Sequence, residues 1–311
     1  MSTPESQQGE RGATWAGRLA LARAGGRSEQ PTQPATPMRR RVRDNLVGLG
    51  GVVERNVYLT RRYIWWDLAF FVWTIANTLT IVFIADGVPA TGGSIDVARA
   101  TTFLLIGAVI WAYLGIIFEF MTETVAWERW EGTIEYTFMA PLSRLTHLAG
   151  MGAYSVLYGL IRAIGLFLVV GLFFDLSMPD ADFLTALVVL LVASVSFIGI
   201  GMMTAVLPLI SPEKGAQLGF VAQGVLLVVS GVYYPVDVLP GWMEKIAAVS
   251  PATYALDGVR RAIMDGDGLT TMGGDLVRLT LIGLVCVPAG LGLFAAGERY
   301  AKRHGKLKRS G

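Results

Sequence analysis

The stretch FLTALVVLLVASVSFIGIGMMTAVLPLISP, from Phe183 to Pro212, contains no charged side chain. An α-helix rises about 1.5 Å per residue and the hydrocarbon core of a bilayer is about 30 Å thick, so about 20 apolar residues are enough to cross it. The stretch is therefore long enough to form a transmembrane helix.

Five further apolar runs of similar length are distributed along the chain. They are Leu68–Ala85, Ala100–Phe118, Leu145–Phe174, Gly215–Val236 and Leu279–Gly297. Only 16% of the residues are charged, against about 25% in soluble domains, so too little polar sequence remains to cover six buried helices in a soluble protein. The sequence predicts an all-α polytopic membrane protein with six transmembrane helices.

The distribution of Lys and Arg predicts the orientation of these spans. Of the 26 Lys and Arg, 11 precede Asp67 and six follow Glu298. Basic residues favour the cytoplasmic face of a membrane, so we expect a multi-pass protein of the cell (inner) membrane with both termini cytoplasmic. Arg260 and Arg261 would then lie outside, in a structured loop long enough to escape this rule.

The pattern divides the chain into four segments. Residues 1–37 are rich in Ser, Thr, Gln, Pro and Gly and are expected to be a disordered cytoplasmic tail, unless the true start is Met38 instead of Met1. Residues 38–66 are predicted to be an interfacial amphipathic helix that ends in the anchoring sequence RRYIWW. Residues 67–298 would form the six-span domain, and residues 299–311 a basic cytoplasmic tail.

An amphipathic segment, WERWEGTIEYTFMAPLSRLTHL at 127–148, separates the second and third runs. Its large apolar side chains recur every three or four residues, which predicts one stripe on a helix. They are Trp127, Trp130, Ile134, Phe138, Leu142 and Leu145. Pro141 lacks a backbone donor and is expected to end this helix, with a new helix starting near Ser143. A solvated loop helix would show the same pattern.

A second patterned segment precedes the last run; it reads SGVYYPVDVLPGWMEKIA at 230–247 and SPATYALDGVRR at 250–261. Pro235 is expected to end the fifth span, and a helix too short to cross should begin at Pro240. Ser250 is a favourable N-cap, with Pro251 at the first helical position, where no donor is lost. Asp257 is placed to pair with Arg260 or Arg261, three or four residues on. The apolar face of this second helix would be Leu256, Val259 and Ile263.

Both segments resemble those of ABC-2-type transporter permeases, in WERWEGTIE at 127–135, MAPLSR at 139–144 and the pattern at 230–261. The resemblance implies that the first segment holds a cytoplasmic coupling helix, which contacts a separate ATPase subunit. The coupling residues it implies are Glu128, Arg129, Glu131, Gly132, Thr133, Glu135 and Pro141. It also implies that the second segment is an extracytoplasmic re-entrant helical hairpin over the outer end of the pathway; a plain surface helix pair is the alternative. The hairpin residues it implies are Pro235, Asp237, Pro240, Trp242, Pro251, Tyr254, Asp257 and Arg260.

The same resemblance implies the transmembrane subunit of an ABC exporter, without an ATPase site of its own. No Gly-x-x-x-x-Gly-Lys-Ser/Thr sequence, which cradles phosphates in P-loop ATPases, occurs in the chain. The expected partners are a P-loop ABC ATPase dimer, which would use ATP and Mg, a second permease copy or a paralogue, and the lipid bilayer. No cofactor bound by this chain and no nucleic acid partner are expected. His147, His304 and Cys286 are too scattered to predict a metal site or catalytic residues.

Three polar residues are predicted inside the membrane: Glu119, Arg162 and Gln223. A charge at that depth is costly. Arg162 could contact an anionic substrate group or form a gating ion pair. Alternatively, it is satisfied by carbonyls or by Glu119, or the span is shifted so that Arg162 approaches an interface. Gln223 is suited to a polar bond between helices.

Spans lined by Phe, Trp, Leu and Gly favour a hydrophobic or amphiphilic substrate, such as a drug, an antibiotic or a lipid-like compound. The resemblance implies that this substrate is exported from the cytoplasm or inner leaflet. Export of a polysaccharide or glycolipid is the alternative that the family allows. An ion-coupled secondary transporter is less favoured, because such carriers hold their ion on a carboxylate in the bilayer interior and no central one is evident. A membrane enzyme acting on lipids would need paired carboxylates or a Ser–His group, and the sequence assembles neither.

Overall fold

A computed structural model of the protein describes residues 38–87, 97–140, 142–174, 178, 180–211 and 213–305. The predicted N-terminal tail, Pro141 and residues 306–311 of the basic tail lie outside the described residues. The chain divides into two units, residues 1–43 and 44–311. The described part of the first unit is only the start of a helix, so the architecture below is that of the second.

Eleven α-helices, and no strand, form the part of the chain that the structure describes. They are α1 (Met38–Arg62), α2 (Ile64–Gly87), α3 (Val97–Glu131), α4 (Ile134–Met139), α5 (Arg144–Gly171), α6 (Phe183–Thr204), α7 (Val206–Ile210), α8 (Gly215–Val229), α9 (Gly241–Ala247), α10 (Pro251–Arg260) and α11 (Gly273–Arg303). A 3-10 turn (Val236–Val238) precedes α9, and a π-helical turn (Arg261–Asp265) continues α10. The predicted all-helical fold is confirmed over these residues.

Five helical segments of the described chain are long and apolar enough to cross a bilayer. They are Ile64–Ile84, Val97–Glu131, Arg144–Gly171, Phe183–Ile210 and Gly273–Arg303. The fourth combines α6 and α7, which meet at Ala205. These segments coincide with five of the six predicted runs, and they make the protein a multi-pass membrane protein.

The run Gly215–Val236 does not form the full-length helix that its composition predicts. Its helix, α8, has 15 residues and is about 22 Å long, which is shorter than the roughly 30 Å of hydrocarbon. Gly231 has a φ of 69°, a left-handed conformation that glycine adopts without a Cβ clash. The backbone therefore turns before it reaches Pro235, the predicted end of the span.

The core is built along α3, which at 35 residues is about 52 Å long. Its first half packs with α6 and α10 in a buried cluster that includes Ile110 and Val259. Its last turns join α5 and α11 in a second cluster that includes Val125, Met151 and Phe294. We call the end of the bundle that carries α4 the coupling end, and the end that carries α9 and α10 the cap end.

The predicted amphipathic helix is present as α1, and one of its faces is buried. Its apolar residues Leu46 and Val57 are exposed, whereas Val52 and Asn56 are buried. A Cβ on Gly150 of α5 would lie 2.8 Å from the Val52 Cβ, so the two helices approach closely there. Close packing against α5 therefore holds this helix in place.

Candidate functional site

The coupling loop, residues 127–145, joins α3 to α5 at the coupling end. The helix α3 continues through Trp127 to Glu131, whereas the sequence pattern predicts that these residues belong to a separate amphipathic helix. Gly132, with a φ of 77°, ends α3, and the Thr133 amide donates to the Glu128 carbonyl at 2.9 Å. The separate helix is consequently limited to the six residues of α4.

The docking face is our name for the exposed part of this loop. Its members are Trp127, Trp130, Glu131, Glu135, Tyr136 and Met139, all of which are exposed. The rings of Trp127 and Trp130 meet edge to face, with centroids 5.3 Å apart. A large exposed apolar surface with carboxylates among it is typical of a contact surface for another protein.

Two of the predicted coupling residues face inward. The exposed fractions of Glu128 and Arg129 are 4% and 3%. Glu128 Oε1 lies 2.7 Å from Arg55 Nη1 of α1, close enough for an ion pair although not aligned as a hydrogen bond. Nε and Nη1 of Arg129 have no hydrogen-bond partner among the described residues. The Glu128 pair attaches the end of α3 to α1 and leaves this carboxylate no free surface.

The other end of the coupling loop is bonded to α11. Arg144 Nε donates to both carboxylate oxygens of Glu298, at 3.2 and 3.1 Å, and Lys302 Nζ lies 2.6 Å from Glu298 Oε1. Arg144 Nη2 also donates to the Phe138 carbonyl at 2.8 Å. The sequence pattern did not single out Arg144 or Glu298, since 154 residues separate them and no local signal links them.

Arg162 pairs with Asp67 and not with Glu119. Its Nη1 lies 3.0 Å from Asp67 Oδ1, and the Tyr158 hydroxyl donates to the same carboxylate. Asp67 belongs to the first turn of α2, so Arg162 is level with the start of that span. Of the alternatives left open by the sequence, this geometry favours a span shifted toward an interface. A Cβ on Gly115 of α3 would lie 2.8 Å from Gln223 Nε2, so Gln223 of α8 faces the helix that carries Glu119, and its bond between helices stays a prediction.

The cap, residues 230–265, contains the two predicted helices, α9 and α10. Pro251 occupies the first turn of α10, and the predicted apolar face of Leu256, Val259 and Ile263 is buried. Ser250 is the N-cap residue of this helix, as predicted, but its hydroxyl bonds that of Ser230 at 2.9 Å instead of a backbone amide of the helix. The Tyr254 hydroxyl donates to the Ala248 carbonyl at 2.7 Å. The exposed members of the predicted set are Pro235, Asp237, Pro240, Trp242 and Asp257.

Arg260 lies buried at the centre of the cap. Its Nη1 donates to the Gly231 carbonyl at 2.9 Å and its Nη2 to the Val232 carbonyl at 2.5 Å. Its guanidinium carbon lies 3.5 Å from the ring centroid of Phe103 in α3. A Cβ on Gly107 would lie 2.6 Å from Nη2, so glycine permits this approach. Burial lowers the pKa of Arg260 to about 10, which still leaves the group charged at neutral pH.

The neighbouring arginine bonds carboxylates instead of carbonyls. Arg261 lies 2.6 Å from Asp267, 3.0 Å from Asp275 and 3.9 Å from Asp257. The hydrogen bond with Asp267 raises the pKa of Arg261. Of the two pairings predicted for Asp257, the structure contains the one with Arg261.

The two histidines and the cysteine, the remaining candidate metal ligands, differ in burial. His147 is buried at the start of α5, His304 is exposed and Cys286 is half-buried in α11. Among the described ranges, no three His, Cys, Asp or Glu side chains are grouped so that they could hold a metal ion.

Comparison with known proteins assigns a family to this arrangement. A sequence model described as "ABC-2 type transporter" matches residues 57–264, which include the coupling loop and both helices of the cap. The chain belongs to the ABC-2 type transporter family. An ABC-2 permease is a transmembrane subunit that works with an ABC ATPase and is not itself the ATPase.

The permease is also similar to one characterised relative, the linearmycin resistance permease protein LnrN of Bacillus subtilis (strain 168). The two are 31% identical over 94 residues. The aligned part is 30% of this permease and 24% of that relative, so the similarity spans about a quarter of the relative's length.

Proposed function

We propose that this ABC-2 permease exports a hydrophobic or amphiphilic compound across the cell membrane, driven by a dimer of an ABC ATPase. The observation that carries the proposal is the docking face, where the carboxylates of Glu131 and Glu135 stand among large exposed apolar side chains. A helix as short as α4 is marginal by itself, so contact with a partner would stabilise it. The similarity to a linearmycin resistance permease supports an antibiotic as the cargo.

In this proposal the coupling end is cytoplasmic and the cap is extracytoplasmic. The excess of Lys and Arg before Asp67 and after Glu298 supports that orientation. The helix α8 and the segment as far as Pro235 would complete a sixth, shortened crossing, so that both termini are cytoplasmic. A second permease copy or a paralogue would complete the pathway, and ATP and Mg would bind only to the ATPase.

The contacts of α3 support a route by which movement of the ATPases would reach the cap. This helix carries part of the docking face in its last turn and contacts Arg260 through Phe103 near its start. Closure of the ATPase dimer on ATP would press on the docking face and tilt α3. The tilt would separate Phe103 from Arg260 and loosen the cap.

Reconstitution of the purified permease with its ATPase in lipid vesicles tests the proposal, with linearmycin as the first cargo. We expect linearmycin to stimulate ATP hydrolysis. The double substitution Glu131→Ala and Glu135→Ala should reduce both this stimulation and co-purification of the ATPase, because both charges lie on the docking face. Asp237→Ala removes an exposed carboxylate at the cap end and should change neither. Unchanged stimulation and assembly in the double variant would show that the coupling assignment is wrong.

A further inference from the structure

We propose that Glu298, near the end of α11, is the positioning residue through which movement of α4 reaches the last transmembrane helix. The inference rests on the proposed function, because it requires an ATPase to act on α4. The helix α11 has 31 residues and is about 46 Å long, so it extends beyond the roughly 30 Å of hydrocarbon. Its final turns reach the coupling end, beside α4 and the start of α5.

The helix α4 depends on contacts from outside itself. The last carbonyls of any helix have no partner within it, and in α4 the Phe138 carbonyl accepts its bond from Arg144 Nη2 at 2.8 Å. The guanidinium of Arg144 also lies 4.4 Å from the centroid of the Phe138 ring. Lys302 Nζ of α11 lies 5.5 Å from the same centroid. Phe138 is thus in contact with two cations, one from α5 and one from α11.

Glu298 joins these two cations. Its side chain is 10% exposed, and it accepts from Arg144 Nε through both oxygens and from Lys302 Nζ at 2.6 Å. Charge-assisted bonds are about twice as strong as neutral ones, and burial protects them from screening by salt. Among the described residues, the pair of Arg144 and Glu298 is the only ion pair between the coupling loop and α11.

We call the bonds of Glu298 with Arg144 and Lys302 the joint. The apolar contacts of the same region would not replace these bonds. Phe138 packs against the cluster that contains Phe294 and Ala301 of α11, but apolar contact is non-directional and lets one surface slide over another. The two bonds from Arg144 to Glu298 have fixed directions. A displacement of α4 along the axis of α11 would therefore be transmitted mainly through Glu298, with the weaker contact of Lys302 over the Phe138 ring beside it.

The substitution Glu298→Gln tests the joint, because it keeps the shape of the side chain and removes its charge. The matched control is Arg299→Gln at the next position, where the exposed guanidinium donates to the Ala295 carbonyl of its own helix. Backbone hydrogen exchange is measured over residues 134–139 and 294–303 in the permease–ATPase complex, with and without a non-hydrolysable ATP analogue. In the wild type and in Arg299→Gln, we expect the analogue to change exchange in both segments.

In Glu298→Gln, we expect the change at 134–139 to persist and the change at 294–303 to fall by about ten-fold, since charge-assisted bonds are lost there. Glu298→Asp keeps the charge and should recover part of the response, which a purely structural role would not explain. If Glu298→Gln does not fold, Lys302→Gln weakens the same joint from a half-exposed position and gives the same comparison.

Equal responses of 294–303 in the wild type and in these variants would overturn the joint and leave the proposed function intact. A wild-type permease that does not bind the ATPase would overturn both. A wild-type complex in which the analogue changes only 134–139 would overturn the joint alone.

Discussion

Replacement of Arg260 by methionine should loosen the cap. The change leaves the carbonyls of Gly231 and Val232 without their donors in a buried site. Each unpaired acceptor costs about 2 kcal/mol, and the lost contact with Phe103 adds about 1 kcal/mol. The lowered pKa of about 10 shows that burial of the charge has its own cost, and relief of that cost offsets about 3 kcal/mol. The net expectation is a loss of about 2 kcal/mol in the free energy of unfolding.

Thermal unfolding of the permease in detergent measures this loss. For a domain of this size, about 2 kcal/mol lowers the Tm by about 4–8 °C. The matched control is Arg278→Met, because Arg278 is exposed and its partner Asp275 lies 3.3 Å away on the same helix. Such a pair contributes about 0.3–0.5 kcal/mol, so the control should shift the Tm by about 1 °C. Equal shifts in the two variants would refute the assignment of Arg260 as the bond between α10 and the end of α8.

Three further tests probe other parts of the bundle. Gly107→Ala should lower the Tm because the added methyl would overlap a backbone carbonyl of the cap, whereas Gly224→Ala has nothing within 4 Å and should not. Arg162→Gln and Asp67→Asn should each destabilise the protein, and a double-mutant cycle of thermal unfolding should give a coupling of about 1–3 kcal/mol, whereas strict additivity would contradict the ion pair. Hydrogen bonds from the Thr185 hydroxyl and amide lower the pKa of Asp182, so its contribution to stability is present above its unfolded pKa of about 3.9 and is lost as the pH falls further. The difference in Tm between the wild type and Asp182→Asn should therefore be largest near pH 6 and should shrink toward pH 3; a constant difference would count against this account.

Local pattern was enough to predict most of the helices. An apolar run is a property of about 20 consecutive residues, and five such runs became long helices. Ser143 illustrates a helix start that is encoded locally, because its hydroxyl accepts the Thr146 amide at 3.0 Å and α5 begins at the next residue. Pro251 at the start of α10 is a second example.

The early end of α8 could not be predicted in this way. Nothing in Gly215–Val236 indicates that a side chain from another segment donates to its last carbonyls. Yet Arg260, 29 residues beyond Gly231, donates a hydrogen bond to the Gly231 carbonyl. Once a side chain supplies that bond, the backbone has no need to continue as a helix. The partner of Arg162 was hidden for the same reason, since Asp67 lies 95 residues away and an isolated charge does not identify its counter-charge.

For the candidate coupling residues, the family resemblance identifies the motif but does not predict which of its side chains are exposed. Glu131 and Glu135 are exposed, as contact with an ATPase requires. Glu128 has the same charge and lies in the same motif, but it is buried against Arg55 of α1. The partner that covers Glu128 belongs to α1, a helix that the motif does not contain.

One helix connects the two ends of the permease. Phe103 and Gly107 of α3 touch the cap, and the same helix ends in the docking face at Glu131. The residues from Gly107 to Glu131 span about 36 Å, and no proline interrupts them, so a tilt at one end has to move the other. Arg260→Met removes the resistance at the cap end and leaves the docking face unchanged. Assembly with the ATPase should then persist, while ATP hydrolysis without cargo rises, because in the proposed route closure of the ATPases no longer has to break the contact between Arg260 and Phe103.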